Sequence, residues 1–150
     1  MEEADNSTVK YRLLSSEGKI PKRGSPCAAG YDIFSAENCV VHPHTTVKIK
    51  TDLSINIPLN TYCRIADRSS LAYNYNLHVL AGVIDPDFQG NIQVVLHNLG
   101  AYPIYIYKNH SIAQIIFEKF LNVEFEKESE EPSPTKRGIN GFGSSNYNLN

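Results

Sequence analysis

Apolar and polar positions alternate with a period of two along much of this 150-residue chain. In TTVKIKT, Val47 and Ile49 alternate with Lys48 and Lys50, and in LSINIP, Leu53, Ile55 and Ile57 alternate with Ser54 and Asn56. NIQVVLHN puts Ile92, Val94 and Leu96 on one face, and PIYIYK sets Ile104 and Ile106 opposite Tyr105 and Tyr107. Successive side chains of a strand point to opposite faces, so each run predicts a half-buried strand. Gly, Pro, Asn or Asp bounds every run, as turns require. Only RSSLAYN, Arg68–Asn74, predicts a brief helix, with Ser69 or Ser70 available to cap it. The pattern predicts an all-β sandwich or jelly-roll-like barrel with one short helix.

Composition adds bounds to this picture. The length suits one domain, and 41% hydrophobic residues suffice for a core. A net charge of −2 offers no global basic field for nucleic acid, so an anionic ligand would need locally gathered Arg and Lys. The three cysteines, Cys27, Cys39 and Cys63, form no C-x-x-C pair and signal neither a zinc site nor a disulfide framework. No window approaches a transmembrane span, and MEEADNST lacks the apolar core of a secretory signal and the arginines of a transit peptide. A cytoplasmic or nuclear location is the resulting expectation, with no membrane or nucleic-acid partner. From Glu126 the chain turns charged and proline-containing, so residues 1–125 read as the folded domain, 126–136 as a flexible linker and 137–150 as a glycine-rich tail.

Four stretches invite a chemical reading. His42 and His44 would share a strand face, but no third metal ligand stands near them. DRSSLA lacks the Gly-x-Ser-x-Gly turn of a serine nucleophile, yet Arg68 ahead of two hydroxyls and a helix start suits phosphate oxygens, or else is a simple cap. In AGVIDPDFQGN, Val83 and Ile84 run into Asp85, which reads either as a general base at the end of a buried strand or as part of an Asx-type turn with Asp87. In TKRGINGFGSSN, three glycines within six positions flank Phe142, a composition that fits a disordered end or a lid with an aromatic ring to stack on a flat base.

Together these stretches resemble the trimeric dUTP pyrophosphatases (dUTPases), in order and spacing, over nearly the whole length. GSPCAAGYDIFSA is similar to the family's first motif, RIADRSSLA to the second, AGVIDPDFQGN to the third, KNHSIAQIIFEK to the fourth and RGINGFGSS to the fifth. The wording is closest to the eukaryotic and large-virus branch. The resemblance implies a homotrimer with shared active sites and hydrolysis of dUTP to dUMP and pyrophosphate, which limits uracil incorporation into DNA and supplies dUMP for thymidylate synthesis. It implies Asp85 as the base that activates water at the α-phosphorus. Arg68, Ser69, Ser70, Gln114, Arg137, Gly143, Ser144 and Ser145 are the implied phosphate contacts. A hairpin around Leu77 to Phe88, with Gly82 and Val83, would read uracil, while Phe88 would lie against deoxyribose and Phe142 would stack on the base. Mg²⁺ would be held mostly by the triphosphate, with Asp32 acting through water.

The chain departs from the family pattern in four places. Asp67 replaces a proline and would weaken substrate binding or pair with Arg68, and Phe88 replaces a tyrosine. Asn109, His110 and Ser111 replace Gly-Asp-Arg, and Asn140 replaces a glycine; Asn tolerates positive φ at both glycine positions. Two other functions stay open: a diverged nucleotide- or partner-binding trimer without turnover, and deamination of dCTP on the same fold, for which Gln89 offers no acid.

Overall fold

A computed structural model describes residues 8–140. Twelve strands and one helix follow in the order β1 (Lys10–Leu13), β2 (Lys22–Arg23), β3 (Tyr31–Phe34), β4 (Cys39–Val41), β5 (Thr46–Lys50), β6 (Leu53–Asn56), β7 (Thr61–Ala66), α1 (Ser69–Tyr75), β8 (Leu77–Leu80), β9 (Val83–Ile84), β10 (Gln93–Asn98), β11 (Ile104–Ile106) and β12 (Ser111–Lys119). They pair antiparallel into a five-stranded sheet, β2-β3-β12-β7-β9, a three-stranded sheet, β5-β10-β8, and the pairs β1-β6 and β11-β4. The all-β expectation holds.

The alternating residues face one shared core. Ile49, Leu53, Val94 and Leu96 are each at most 1% exposed, and they join Ile33, Cys63 and Ile115 of the five-stranded sheet in a single apolar cluster. Burying each such aliphatic side chain contributes about 1.5–3 kcal/mol. β6 departs from strict alternation. Ser54 is buried as well, because its Oγ donates to the Gln89 carbonyl at 2.9 Å and thereby finds the partner that burial demands. His42 and His44 do not share a strand face: both lie beyond the end of β4, in a turn where Thr45 N–H and Oγ donate to the His42 carbonyl.

The segment Leu77–Phe88 is not a simple hairpin. β8 pairs with β10, from Asn98↔Leu77 to Val95↔Leu80, whereas β9 pairs with β7 at Cys63↔Ile84 and Arg64↔Val83. The chain crosses between the sheets at Ala81 (φ 53°) and Gly82. Ile65 N–H donates to the Gly82 carbonyl at 2.7 Å, and a Cβ at position 82 would stand 2.3 Å from the Ile65 carbonyl oxygen. Glycine is required there because two backbones meet.

Candidate active site

The second-motif segment forms where β7 passes into α1. Arg68 occupies the N-cap with extended φ/ψ (−91°, 128°), and no side chain caps the helix, so neither Ser69 nor Ser70 has the capping role expected for it. Both hydroxyl-bearing residues are exposed in the first turn. Arg68 reaches back across the sheet instead. Its Nε and Nη2 donate to the two oxygens of Asp32 on β3, each at 3.0 Å, and its Nη1 donates to the Ser111 carbonyl at 3.3 Å. Such a two-point pairing matches the planar fork of guanidinium to carboxylate. Three of the sequence motifs thus converge, although the residues lie 36 and 43 positions apart.

Gln114 completes this cluster from β12. Its Nε2 donates to the Asp67 carbonyl at 2.7 Å, and its Oε1 lies where a Cβ on Gly30 would be 2.1 Å away. The first-motif glycine is therefore the space that Gln114 occupies. The Ser111 hydroxyl is buried beside Arg68 without a hydrogen-bond partner. Asn109 adopts φ 70°, as expected for a residue in a glycine's place. The His110 ring accepts from Tyr107 N–H at 3.3 Å and packs edge-on against its ring, with centroids 5.3 Å apart.

Asp67 does not pair with Arg68. Its Oδ1 accepts the Val79 amide of β8 at 2.5 Å, and its Oδ2 lies 3.2 Å from His78 Nδ1. The free edge of β8 offers donors nearer than the guanidinium, which Asp32 already holds.

Asp85 follows β9 on the exposed side of the molecule, and Val83 is 66% exposed, so the acid does not end a buried strand within one chain. Phe88 N–H donates to the Asp85 carbonyl at 3.1 Å, closing a turn over Pro86 and Asp87. Phe88 is 44% exposed and its ring folds over Gly90, where a Cβ would be 2.7 Å from Cζ.

Residues that motif reading passed over fix this loop. Besides Ser54, Arg12 Nη2 reaches the Gln89 carbonyl at 3.5 Å, and Asn91 exchanges bonds with Asp52, Nδ2 to Oδ1 at 2.6 Å and Oδ1 from the Asp52 N–H at 3.0 Å. Partners 35 to 77 positions away leave no local signal of this role.

In the C-terminal segment, Arg137 is exposed; its Nε donates to the Asn140 carbonyl at 3.1 Å. Gly138, not Asn140, takes the left-handed conformation, at φ 55°. Phe142, Gly143, Ser144 and Ser145 lie outside the described residues. All three cysteines are free, and burial pushes the Cys63 thiol up to about 12, which removes it as a thiolate nucleophile. Among the described residues no group of three or more His, Cys, Asp or Glu side chains is placed to hold a metal ion.

Comparison with known proteins agrees with this geometry. The dUTPase family model matches residues 16–146. A deoxyuridine 5'-triphosphate nucleotidohydrolase of Candida albicans is 41% identical, with 94% of this chain and 89% of that protein covered. The protein of the same name in fowlpox virus is 44% identical, with 91% and 95% covered. Among solved structures, a mutant dUTPase of Staphylococcus bacteriophage 80alpha with dUpNHpp superposes with a TM-score of 0.87 at 28% identity, covering 93% of this chain and 99% of that one. A mutant dUTPase from phage phi11 of S. aureus, described with a structural Mg(II) ion, gives a TM-score of 0.79 at 25% identity over 85% and 100% of the two chains. The eukaryotic and poxviral relatives match the branch that the motif wording resembles. With the match spanning all five motifs and most of the length of each relative, the chain belongs to the dUTPase family.

Proposed function

We propose that this chain hydrolyses dUTP to dUMP and pyrophosphate, with Asp85 as the base and the Arg68 cluster as the phosphate anchor. The observation that carries the assignment of residues is the convergence of Arg68, Asp32, Gln114 and Ser111 from distant motifs around the open start of α1.

The chemistry asks little covalent work of the protein. A water molecule must be held in line with the α-phosphorus and deprotonated as it attacks. Asp85 takes that proton, the new P–O bond forms, and the bond to the bridging oxygen breaks, releasing pyrophosphate. Arg68, Ser69 and Ser70 orient the triphosphate, with the second Gln114 N–H available beside them, and Arg137 reaches the terminal phosphate from the tail. To bind phosphate, Arg68 exchanges part of its pairing with Asp32 for ligand oxygens. Gly82 and Val83 present the backbone edge that reads uracil, where a donor–acceptor mismatch leaves buried groups unpaired and discriminates strongly. Phe88 packs on deoxyribose, and Phe142, with Gly143, Ser144 and Ser145, closes over the base and phosphates.

Mg²⁺ is part of this reading. The available donor set, a single carboxylate at Asp32, does not make a protein cage. It fits an ion that keeps its waters and is bound chiefly by substrate phosphates. When bound, the ion neutralises phosphate charge and sets the conformation of the triphosphate.

A homotrimer with shared sites accounts for what one chain leaves exposed. Leu121, Val123 and Phe125 are 86%, 59% and 100% exposed and alternate like strand residues. A cleft of about 600 Å³ lined by Val9, Ile20, Tyr31, Ile55 and Phe117 opens elsewhere on the surface. Apolar surfaces of this kind are usually covered by a partner. The same reading keeps 1–125 as the barrel, 126–136 as the linker and 137–150 as the lid. Three free cysteines suit a reducing compartment, cytoplasm or nucleus.

Incubation with Mg²⁺ and, separately, dUTP, dCTP, dTTP and UTP tests the function. Pyrophosphate from dUTP alone is expected. Binding without turnover, or ammonia released from dCTP, would overturn the assignment.

A further inference from the structure

We infer that Asp67 is a positioning residue that latches the phosphate-anchoring junction to the base-reading strand, with His78 as its second point of attachment. The inference rests on the functional reading above.

The β7–α1 junction is held to its own helix by the Arg68 carbonyl, which accepts the Leu71 and Ala72 N–H at 3.0 Å, and has no side-chain cap to add to it. Two sets of side-chain contacts reach beyond the helix. One is the Arg68 side chain on Asp32 and the Ser111 carbonyl. The other belongs wholly to Asp67: its carbonyl accepts Gln114 Nε2, its Oδ1 accepts Val79 N–H, and its Oδ2 faces His78 Nδ1. A carboxylate oxygen accepts, so a hydrogen bond across this contact has His78 Nδ1–H as its donor. Val79 and His78 sit on β8, whose other edge is fixed to β10 by a continuous register from Leu77 to Leu80. Asp67 is thus a brace from a well-anchored strand to the turn that carries Arg68.

The brace matters most when substrate is bound. An Arg68 that turns toward phosphate loosens its own hold on Asp32, and the Asp67 contacts then carry the backbone position of the arginine. The same bonds occupy the carboxylate at β8, so a negative charge one residue from the phosphate anchor does not engage that arginine. Loss of the brace removes binding felt equally in the ground and transition states, which raises KM and leaves kcat nearly unchanged. Base selection, built on β8 and β9, stays as it is.

The test compares D67A, D67N and H78Q with the wild type for KM and kcat on dUTP, for the dUTP-to-dCTP ratio of kcat/KM, and for equilibrium binding of dUpNHpp. Thermal unfolding is followed in parallel. D67A should raise KM and the dUpNHpp Kd about ten-fold, with kcat within about three-fold and the base ratio unchanged. D67N and H78Q, which each keep an oxygen on the Val79 N–H and lose the contact between residues 67 and 78, should both fall between the wild type and D67A. A D67A protein with wild-type KM and Kd, a D67N protein as impaired as D67A, or a loss confined to kcat would overturn the latch. If the wild type binds dUpNHpp but does not turn over dUTP, the hydrolytic assignment falls while the Kd series still decides the latch. A wild type that neither binds nor hydrolyses overturns both.

Discussion

The loop from Asp85 to Asn91 and the segment from residue 120 to 140 both carry expected site residues, Asp85 and Phe88 in the first and Arg137 in the second, yet they are built in opposite ways. The loop is held by side chains from distant strands: Ser54 and Arg12 on the Gln89 carbonyl, Asp52 on Asn91. The segment is exposed throughout, and beyond Phe120 its described hydrogen bonds join residues three positions apart within Thr135–Asn140. A reaction centre must be fixed before substrate arrives, because misplacement by an ångström costs about a hundred-fold in rate. A lid must instead release product, and it takes its order from whatever it closes upon. One chain therefore completes the first region, while the second has no surface of its own.

The sharpest way to break that comparison is to disable the fixed region without moving it. Asp85→Asn keeps the shape and the Phe88–Asp85 backbone turn while removing the proposed base. Turnover of dUTP should fall by about 10²–10⁴-fold, and binding of dUpNHpp should persist. A variant that works at the wild-type rate would remove Asp85 from the mechanism.

The complementary experiment removes the unfixed region. A chain truncated before Arg137 loses no residue of the core cluster, so its unfolding temperature and assembly state should match the full chain. Its kcat/KM should drop on the order of a hundred-fold if closure positions the substrate. An undiminished rate would leave the glycine-rich segment without a catalytic role and make the fixed half sufficient.

The two regions also differ in how far the sequence discloses them. Val47, Ile49, Val94 and Leu96 announce their strands by alternation, because half-burial imposes the period. The role of Gly82 in a sheet crossover, the brace from Asp67 to Val79 and the burial of Ser54 leave no such trace. Each depends on a partner brought near only by folding: Ile65, β8 and Gln89 respectively. Motif resemblance brought out Asp32, Arg68 and Gln114 as a set, but not that the first two pair with each other in the free chain. Arg137 is legible as a motif residue and has no described partner on the barrel.

Gly82→Ala probes how much of the fixed region rests on a single backbone contact. A methyl 2.3 Å from the Ile65 carbonyl forces the crossover away from β7. The expected cost is about 1–3 kcal/mol of stability, the range for overpacking, read from denaturant midpoints. The displacement should also raise KM for dUTP, since Val83 and Asp85 follow directly. Unchanged stability would mean that β9 slides freely and that the loop draws its order from Ser54 and Asp52 alone.

The smallest effect concerns the outer surface of the same sheet, at the ion pair between β7 and β12. Hydrogen bonds from Arg64, and then from Tyr62, hold the Glu118 carboxyl below its ordinary range. Its folded value lies under its unfolded one, so the stabilisation is present at pH above the unfolded carboxylate value and fades as pH falls through the lowered folded value. Glu118→Gln should thus lower the unfolding temperature slightly near neutrality and converge with the wild type in acid. Both partners are substantially exposed, 42% for Arg64 and 33% for Glu118, so solvent screening keeps the difference small. Turnover should change far less than in Asp85→Asn, because among the described residues the Glu118 carboxylate bonds only to Arg64 and Tyr62, although the register sets Arg64 opposite Val83 of β9. A change in kcat without a change in stability would show that strain at Arg64 reaches the β7–α1 junction, and the division between a locally fixed site and its supporting sheet would then have to be redrawn.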